Sequence, residues 1–392
     1  MQTDLPAGFL ATPDGERANA ILRSCVHCGF CNATCPTYQV LGNELDGPRG
    51  RIYLIKEMLE TQTPNAAVTT HLDRCLTCRA CETTCPSGVR YGELLEIGRG
   101  FLERRPGRGL LERLVRWWLT RVVPHPEKLR RWLRAALPFE RLAPRHLRAM
   151  LRRPPEPDAA AGTGEVLLLQ GCVQRVMTPE VNVHLRKLLA DRGIAARFDP
   201  NEGCCGGLSL HLGNAERARS EIAHNLDEMD WPSADRIVST ATGCGVTLKE
   251  YDRILALAPD YAAAATRFAA RVCDASELLH EFEFGKREDM HRVAWHAPCT
   301  LQHGQKINGR VEDLLGRAGY ELLAVRDAHL CCGSAGSYSI LQPEIASDLK
   351  QRKTAALMEH RPDVIATANI GCQMHLADGS DVPVVHWLQL LQ

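Results

Sequence analysis

The sequence predicts a multidomain α+β protein. An α-helical module carrying two cysteine quartets comes first, then a basic helical linker, then two repeated α/β domains with parallel sheets. Three observations predict this order. Eight of the 17 cysteines fall in two copies of one run, C-x2-C-x2-C-x3-C-P, near the N-terminus. Eight more form a wider repeat in the C-terminal half. Between them, Arg99–Arg153 holds 16 Lys+Arg against four Glu. A chain of 392 residues is long enough for two or three domains with real cores. The 47 Lys+Arg balance 47 Asp+Glu, which excludes a chain built as a whole to coat nucleic acid. Met1 to Ser24 lacks the order of a secretion signal, and no stretch approaches the ~18 consecutive apolar residues of a membrane span. The expected setting is a reducing cytosol, where clustered cysteines bind metal or do redox work.

The first quartet reads Cys25-Val-His-Cys28-Gly-Phe-Cys31-Asn-Ala-Thr-Cys35-Pro36, and Cys75-Leu-Thr-Cys78-Arg-Ala-Cys81-Glu-Thr-Thr-Cys85-Pro86 repeats it without a gap. This is the bacterial ferredoxin signature for [4Fe–4S] clusters. Three thiolates two residues apart wrap one cube from a tight turn. The fourth points away and ligates the other cluster. The spacing therefore assigns Cys25, Cys28, Cys31 and Cys85 to one cluster, and Cys75, Cys78, Cys81 and Cys35 to the second. A zinc site uses four ligands in paired C-x2-C elements, not two unbroken quartets. Pro36 and Pro86 disfavour helix in the residue before them and turn the chain away from each cube.

The 39 residues from Pro36 to Arg74 contain a predicted helix. Asp46 is placed to cap it, and Ile52, Tyr53, Ile55, Met58 and Leu59 recur at helical spacing. A helical connector predicts an all-α module rather than a compact βαβ ferredoxin. Arg49, Arg51 and Lys56 either offset cluster charge or form a solvated face. The basic segment that follows carries Trp117, Trp118 and Trp132 and is cut into short helices by Pro106, Pro124, Pro126, Pro138 and Pro144. Such a stretch can lie on anionic lipid, dock on a partner subunit, or hold the first module against the rest. No nucleic-acid fold accompanies the charge. Arg152–Gly164 reads as a Pro/Ala/Gly linker.

In the second half Cys172, Cys204 and Cys205 recur 127 residues on as Cys299, Cys331 and Cys332, and Cys244 recurs 128 on as Cys372. Strands are expected at Glu165–Gly171, Ala195–Phe198 and Arg236–Thr240, and again at His291–Pro298, Glu321–Val325 and Val364–Ala368. Helices are expected at Glu180–Arg192, Ala215–Met229, Val311–Ala318 and Pro343–Glu359. This alternation implies parallel sheets with every cysteine at a strand's C-terminal end, where α/β crevices form. In each Cys-Cys-Gly the glycine permits a bend. These eight cysteines are the second set of candidate ligands, for a further iron–sulfur cluster or another metal. Cys273 has no counterpart and reads as a core residue. The domain limits are 1–98, 99–164, 165–285 and 286–392.

Two quartets followed by two Cys/Cys-Cys-Gly/Cys repeats resemble the iron–sulfur subunits of glycolate oxidase (glycolate dehydrogenase) over nearly the whole chain. CVHCGFCNATCPTYQVLGNELDGPRGRIYLIKEMLE (Cys25–Glu60), HLDRCLTCRACETTCPSGVRYGELLEIGR (His71–Arg99), CTLQHGQKINGRVE (Cys299–Glu312), HLCCGSAGSYSI (His329–Ile340) and TANIGCQMHLA (Thr367–Ala377) carry the likeness. The resemblance implies that FAD-binding partner subunits oxidise glycolate to glyoxylate, with D-lactate as a companion substrate. This chain would then relay electrons through two [4Fe–4S] clusters toward membrane quinone or another acceptor. The setting implied is cytoplasmic, or peripheral on the cytoplasmic face of the inner membrane. Heterodisulfide reductase-type repeats end in Cys-x-x-Cys, but Thr247 and His375 stand where that last cysteine would be. The missing fifth thiol weighs against a noncubane cluster and disulfide chemistry. His375 is either a substitute ligand or, as a lone His beside a site commonly is, a hydrogen-bond partner.

No G-x-G-x-x-G opens a helix after a strand, and no P-loop or nucleophile motif occurs. Hydride chemistry therefore belongs on another chain, and no catalytic residue is assigned here. Two alternatives stay open. One is a self-contained quinone- or disulfide-reducing subunit like those of heterodisulfide reductase, lactate utilisation or glycerol-3-phosphate dehydrogenase. The other is a metal-binding scaffold.

Overall fold

The computed structural model describes residues 1–105, 108–136, 138, 164–286 and 291–392. Pro106, Pro144 and all but the last residue of the linker ending at Gly164 lie outside the described residues.

The N-terminal module is helical. Its longer helices are Pro13–Ser24, Pro48–Thr61, Ala66–Asp73 and Tyr91–Glu103. The first starts where the Thr12 side chain accepts the Gly15 N–H and Pro13 supplies a preset φ, with Asp14 and Glu16 in the first turn. The third is capped by Asn65, which accepts from Val68 N–H. Ile21, Leu22, Ile52, Ile55, Met58, Leu59, Leu72, Leu94 and Leu95 close the core. Two expectations are corrected. Tyr53 is half exposed and meets His27 edge to face, because it lies one residue, about 100°, off the Ile52–Ile55–Leu59 face. Asp46 does not cap the Pro48–Thr61 helix. Gly47 holds that position, and Asp46 is fully buried in the turn before it. Its carboxylate lies 2.8 Å from His71 Nδ1 and 3.2 Å from Arg74 Nη1, with Arg51 Nη2 at 3.6 Å.

Helices Leu110–Arg121 and Pro126–Ala136 follow, joined by an edge-to-face contact of Trp118 and Trp132 at 5.3 Å. The first buries two polar residues beside Leu119 and exposes an apolar stripe. Arg116 and Thr120 are buried, with Arg116 bonded to Asp73 at 3.0 Å, whereas Leu110, Leu111, Leu114 and Trp117 are more than half exposed.

The C-terminal half forms two parallel sheets. Strands β1 (Val166–Leu169), β2 (Ala196–Arg197), β3 (Arg236–Ser239) and β4 (Val272–Asp274) lie in the order β2-β1-β3-β4. Strands β5 (Arg292–His296), β6 (Glu321–Leu323), β7 (Val364–Thr367) and β8 (Val384–His386) repeat it as β6-β5-β7-β8. Val166 pairs Arg236, and Val293 pairs Val364. The fourth strand of each sheet was not expected, since neither leads into one of the repeated cysteines that marked the other three. The inner faces share one core. Val166, Leu168 and Val238 meet Val293, Trp295, Val364 and Ala366 there, with Trp387 between. The outer faces are covered separately, Leu167 and Ile237 by Ile222, Tyr251 and Phe268, and Ala294 and Ile365 by Leu357 and Leu376. Burial on both faces explains the unbroken apolar strands. Cys273 sits in β4, half-buried against the shared core, and burial pushes its thiol up to about 11.

Candidate metal centres

Each quartet opens where a helix ends, with Cys25 extended after Ser24 and Cys75 following Arg74. The two turns then share a backbone pattern. His27 and Gly29 have φ of 57° and 87°, and their counterparts Thr77 and Arg79 have 57° and 60°. Only one of the four is glycine. Three L-residues, one of them β-branched, are held left-handed, which costs of order 1–3 kcal/mol each and marks a site where geometry is imposed by function. Thr77 N–H donates to Cys75 Sγ at 3.4 Å. Cys35 and Cys85 leave their turns in extended backbone, each ahead of a proline.

The structure brings Cys25, Cys28, Cys31 and Cys85 around one recess, and Cys35, Cys75, Cys78 and Cys81 around a second. Cys81 borders both. Burial, then the Cys25 neighbour, pushes the Cys31 thiol up to about 11. Cys78 and Cys81 are raised by burial and by surrounding thiols. Four sulfurs crowded into each recess need positive charge among them, and four thiol donors suit a [4Fe–4S] cube.

The surroundings differ. At the first recess Cys28, Val26 and Phe30 are exposed, and Arg49 lies over Gly29 while pairing Glu44 at 2.6 Å. At the second, Arg51 is 1% exposed. It donates to His71 O at 2.7 Å and Thr37 Oγ1 at 3.1 Å, with Nη1 4.0 Å from Cys35 Sγ. Tyr91 O–H donates to Cys75 Sγ at 3.6 Å. Lys56 turns away to Glu60 at 2.6 Å.

In the repeats, Cys172 follows β1, the Cys204–Cys205 pair follows β2, and Cys244 lies in the first turn of helix Thr242–Lys249 after β3. Cys172 and Cys204 sulfurs are 3.7 Å apart, and Cys299 and Cys331 sulfurs 3.9 Å apart. Gly206 and Gly333 are left-handed, with φ of 85° and 92°. A Cβ at Gly333 would stand 2.7 Å from Ala346 O. In the first repeat the Glu202 carboxylate accepts the Gln170 and Gly171 N–H groups, both at 2.8 Å. Burial outweighs those bonds and holds it at about 7. His375 lies 3.2 Å from Ala346 O, so it bonds to backbone. The residue missed from sequence is His296. Its ring lies with Cys332 and Cys372 so that one ligand atom of each is within 4.8 Å of the others. Aligning the repeats by their cysteines would have shown it, since Leu169 stands there in the first.

The second quartet's turn is wedged between the repeats. Leu76 and Cys78 pack against Cys299 and Cys331. Thr83 Oγ1 lies 2.9 Å from His303 Nδ1, and Tyr338 O–H donates to Arg74 O at 3.0 Å. Toward the first repeat, Arg79 forms a two-pronged pair with Glu250, Arg253 meets Glu96 at 2.9 Å, and Arg99 donates to His211 O at 3.0 Å.

A helical module with two adjoining thiol recesses, set against two cysteine-bearing parallel sheets, defines a two-cluster iron–sulfur protein. The family described as 4Fe-4S dicluster domain matches residues 21–89, and the cysteine-rich domain family matches 166–249 and 293–377. The chain is 44% identical over 404 residues to the glycolate oxidase iron-sulfur subunit of Escherichia coli K12, covering 100% of this chain and 98% of that one. It is 30% identical over 413 residues to the probable glycolate oxidase iron-sulfur subunit of Bacillus subtilis 168, covering 94% and 93%. Lactate utilization protein A of Geobacillus kaustophilus is 25% identical over 238 residues, 58% of this chain and 98% of that one. This chain belongs to the family of glycolate oxidase iron–sulfur subunits. A crystal structure of a hypothetical protein from Helicobacter pylori shares the fold, with a TM-score of 0.57 at 9% identity over 98% of this chain and 72% of that one.

Proposed function

We propose that this chain is the electron-transfer subunit of a complex that oxidises glycolate to glyoxylate, with D-lactate as a companion substrate. The same reading divides the chain at residues 98, 164 and 285. The flavin and the substrate site lie on FAD-binding partner subunits. Cys25, Cys28, Cys31 and Cys85 hold one [4Fe–4S] cluster, and Cys75, Cys78, Cys81 and Cys35 the other. Such clusters take and give single electrons at potentials set by charge, burial and hydrogen bonds to sulfur. The observation that carries the reading is the shared border of the two recesses at Cys81. Ligands that adjoin in this way hold two redox centres within hopping distance. Exposed Val26, Cys28 and Phe30 give the flavin partner access to the first centre. The stripe of Leu110, Leu111, Leu114 and Trp117, flanked by Arg113 and Arg121, seats the chain on the anionic cytoplasmic face of the inner membrane, near quinone. No helix among the described residues is long and apolar enough to cross a membrane.

The test is anaerobic purification from native cells. The expected sample holds about eight iron per chain, co-elutes with flavin-bearing chains, and reduces a quinone analogue with glycolate. Cys28→Ser should erase one cluster's EPR signal and stop that flow. Full quinone reduction in the variant would end the relay assignment. Trp117→Glu should release the complex from vesicles rich in anionic lipid. Unchanged sedimentation would assign the stripe to a partner subunit instead.

A further inference from the structure

The two cysteine-rich repeats place their thiols at corresponding strand ends, but differ in how deeply they bury them and in what stands beside them. A shift of 127 residues carries Leu169, the last residue of β1, onto His296, the last of β5. Both belong to the outer faces of their sheets. Leu169 packs there with Leu167 and Leu210, and with Cys205 and Cys244. An apolar side chain suits that place. The histidine does not, because it is 2% exposed and neither Nδ1 nor Nε2 has a hydrogen-bond partner. Each polar atom buried in that way costs about 1–3 kcal/mol. A neutral imidazole keeps one nitrogen lone pair, which is a metal-ligand orbital. Here it is accompanied by two thiols, Cys332 at 0% and Cys372 at 4% exposure.

The spread of the three donors fits one ion. They lie within 4.8 Å of one another, while ligands around a tetrahedral zinc at ~2.0–2.3 Å are about 3.5–3.8 Å apart. Small rotamer changes close that gap. Two sulfurs and one imidazole nitrogen select borderline-soft metals over magnesium or calcium. Cys372 lies in the first turn of helix Ile370–Ala377, and Asn369 Nδ2 is 3.9 Å from its sulfur.

We propose that His296, Cys332 and Cys372 bind one mononuclear divalent metal of the zinc class, and that the first repeat, with Leu169 in place of the histidine, does not. Three protein ligands leave one tetrahedral position for water or a small anion. The inference rests on the reading that the N-terminal quartets hold the chain's iron, and the two fail separately, one by zinc and the other by iron.

The experiment uses the full chain, purified anaerobically and washed with chelator. The expected sample contains about one zinc per chain beside the iron of two clusters, and zinc X-ray absorption shows a mixed sulfur and imidazole-nitrogen shell. Growth on cobalt should give the near-ultraviolet sulfur-to-cobalt charge-transfer band and the visible d–d bands of a tetrahedral site. His296→Leu, which installs the residue of the first repeat, should lose zinc or cobalt at least about tenfold while the cluster EPR signals stay unchanged. His296→Cys should restore binding if the leucine variant does not fold. Zinc below about a tenth of an equivalent in the wild-type chain, or a shell of sulfur only, overturns the proposal. So does iron with sulfide in excess of two clusters that is lost in His296→Leu, because it would mean a cluster at that site.

Discussion

The two quartets have one spacing and one backbone, yet opposite surroundings. His27 and Thr77 share a φ of 57°, and each quartet's fourth cysteine is lent to its neighbour's recess. Around the first recess the chain leaves Cys28, Val26 and Phe30 at the surface. Around the second it assembles a buried guanidinium, a phenol and the walls of both repeats. Local spacing thus determines which sulfurs meet, and tertiary context determines how they are tuned. The prediction is an asymmetric pair, with an open centre for exchange with a partner and an enclosed centre whose potential the chain controls.

The strongest test of that asymmetry is Arg51→Met. Arg51 sets its guanidinium next to Cys35 and donates to Thr37 Oγ1 and His71 O. Removing one partner of a buried ion pair costs about 3–5 kcal/mol, and the lower end is expected because Asp46 keeps His71 and Arg74. The enclosed cluster should move to lower potential when it loses that charge, and the exposed cluster should stay where it was. Redox titration followed by EPR separates the two signals. An equal shift in both would dissolve the distinction.

The wedge of the second turn gives a smaller effect with a defined pH window. Burial raises the Glu250 carboxyl, but the Arg79 hydrogen bonds and the Arg79 and Arg253 charges outweigh it and bring the group down to about 2. A depressed carboxyl stabilises the folded chain fully above its ordinary value of about 4.5, and that contribution disappears as pH falls toward 2. Glu250→Gln should cost roughly 1–2 kcal/mol at neutral pH. The gap between variant and wild type should narrow below about pH 4.5. Urea unfolding across that range measures it. A constant gap would show that the Arg79 contact contributes through shape and not through charge.

Much of this was legible in the residues. The cysteine spacing predicted both recesses and their exchanged members. The 127-residue repeat predicted three strands of each sheet to within two residues at either end. What stayed hidden depends on contacts distant in sequence. Asp46 precedes a helix and reads as a cap, but His71 and Arg74, more than two turns of chain away, claim it. Arg51 gives no sign in sequence of being more buried than Lys56, because only the fold turns one inward. His296 hides in an apolar strand pattern, HRVAWHAP, where a single polar residue at a strand end reads as the start of a loop. β4 and β8 lead into none of the repeated cysteines that flagged the equally short β2 and β6, and they show themselves only by pairing with the edges of β3 and β7.

The finest probe of the enclosed centre is Tyr91→Phe. The ring is buried among apolar residues of the module core and loses nothing but its O–H, so packing is retained. That hydrogen bond ends on Cys75, a member of the second quartet only. A donor to sulfur stabilises the more negative, reduced state, so its loss should lower the potential. A net hydrogen bond of ~0.5–1.5 kcal/mol corresponds to at most about 20–60 mV for one electron. The shift should appear in the enclosed cluster's titration and be absent from the other. If the exposed cluster moves instead, the assignment of Cys75 to the enclosed centre is wrong.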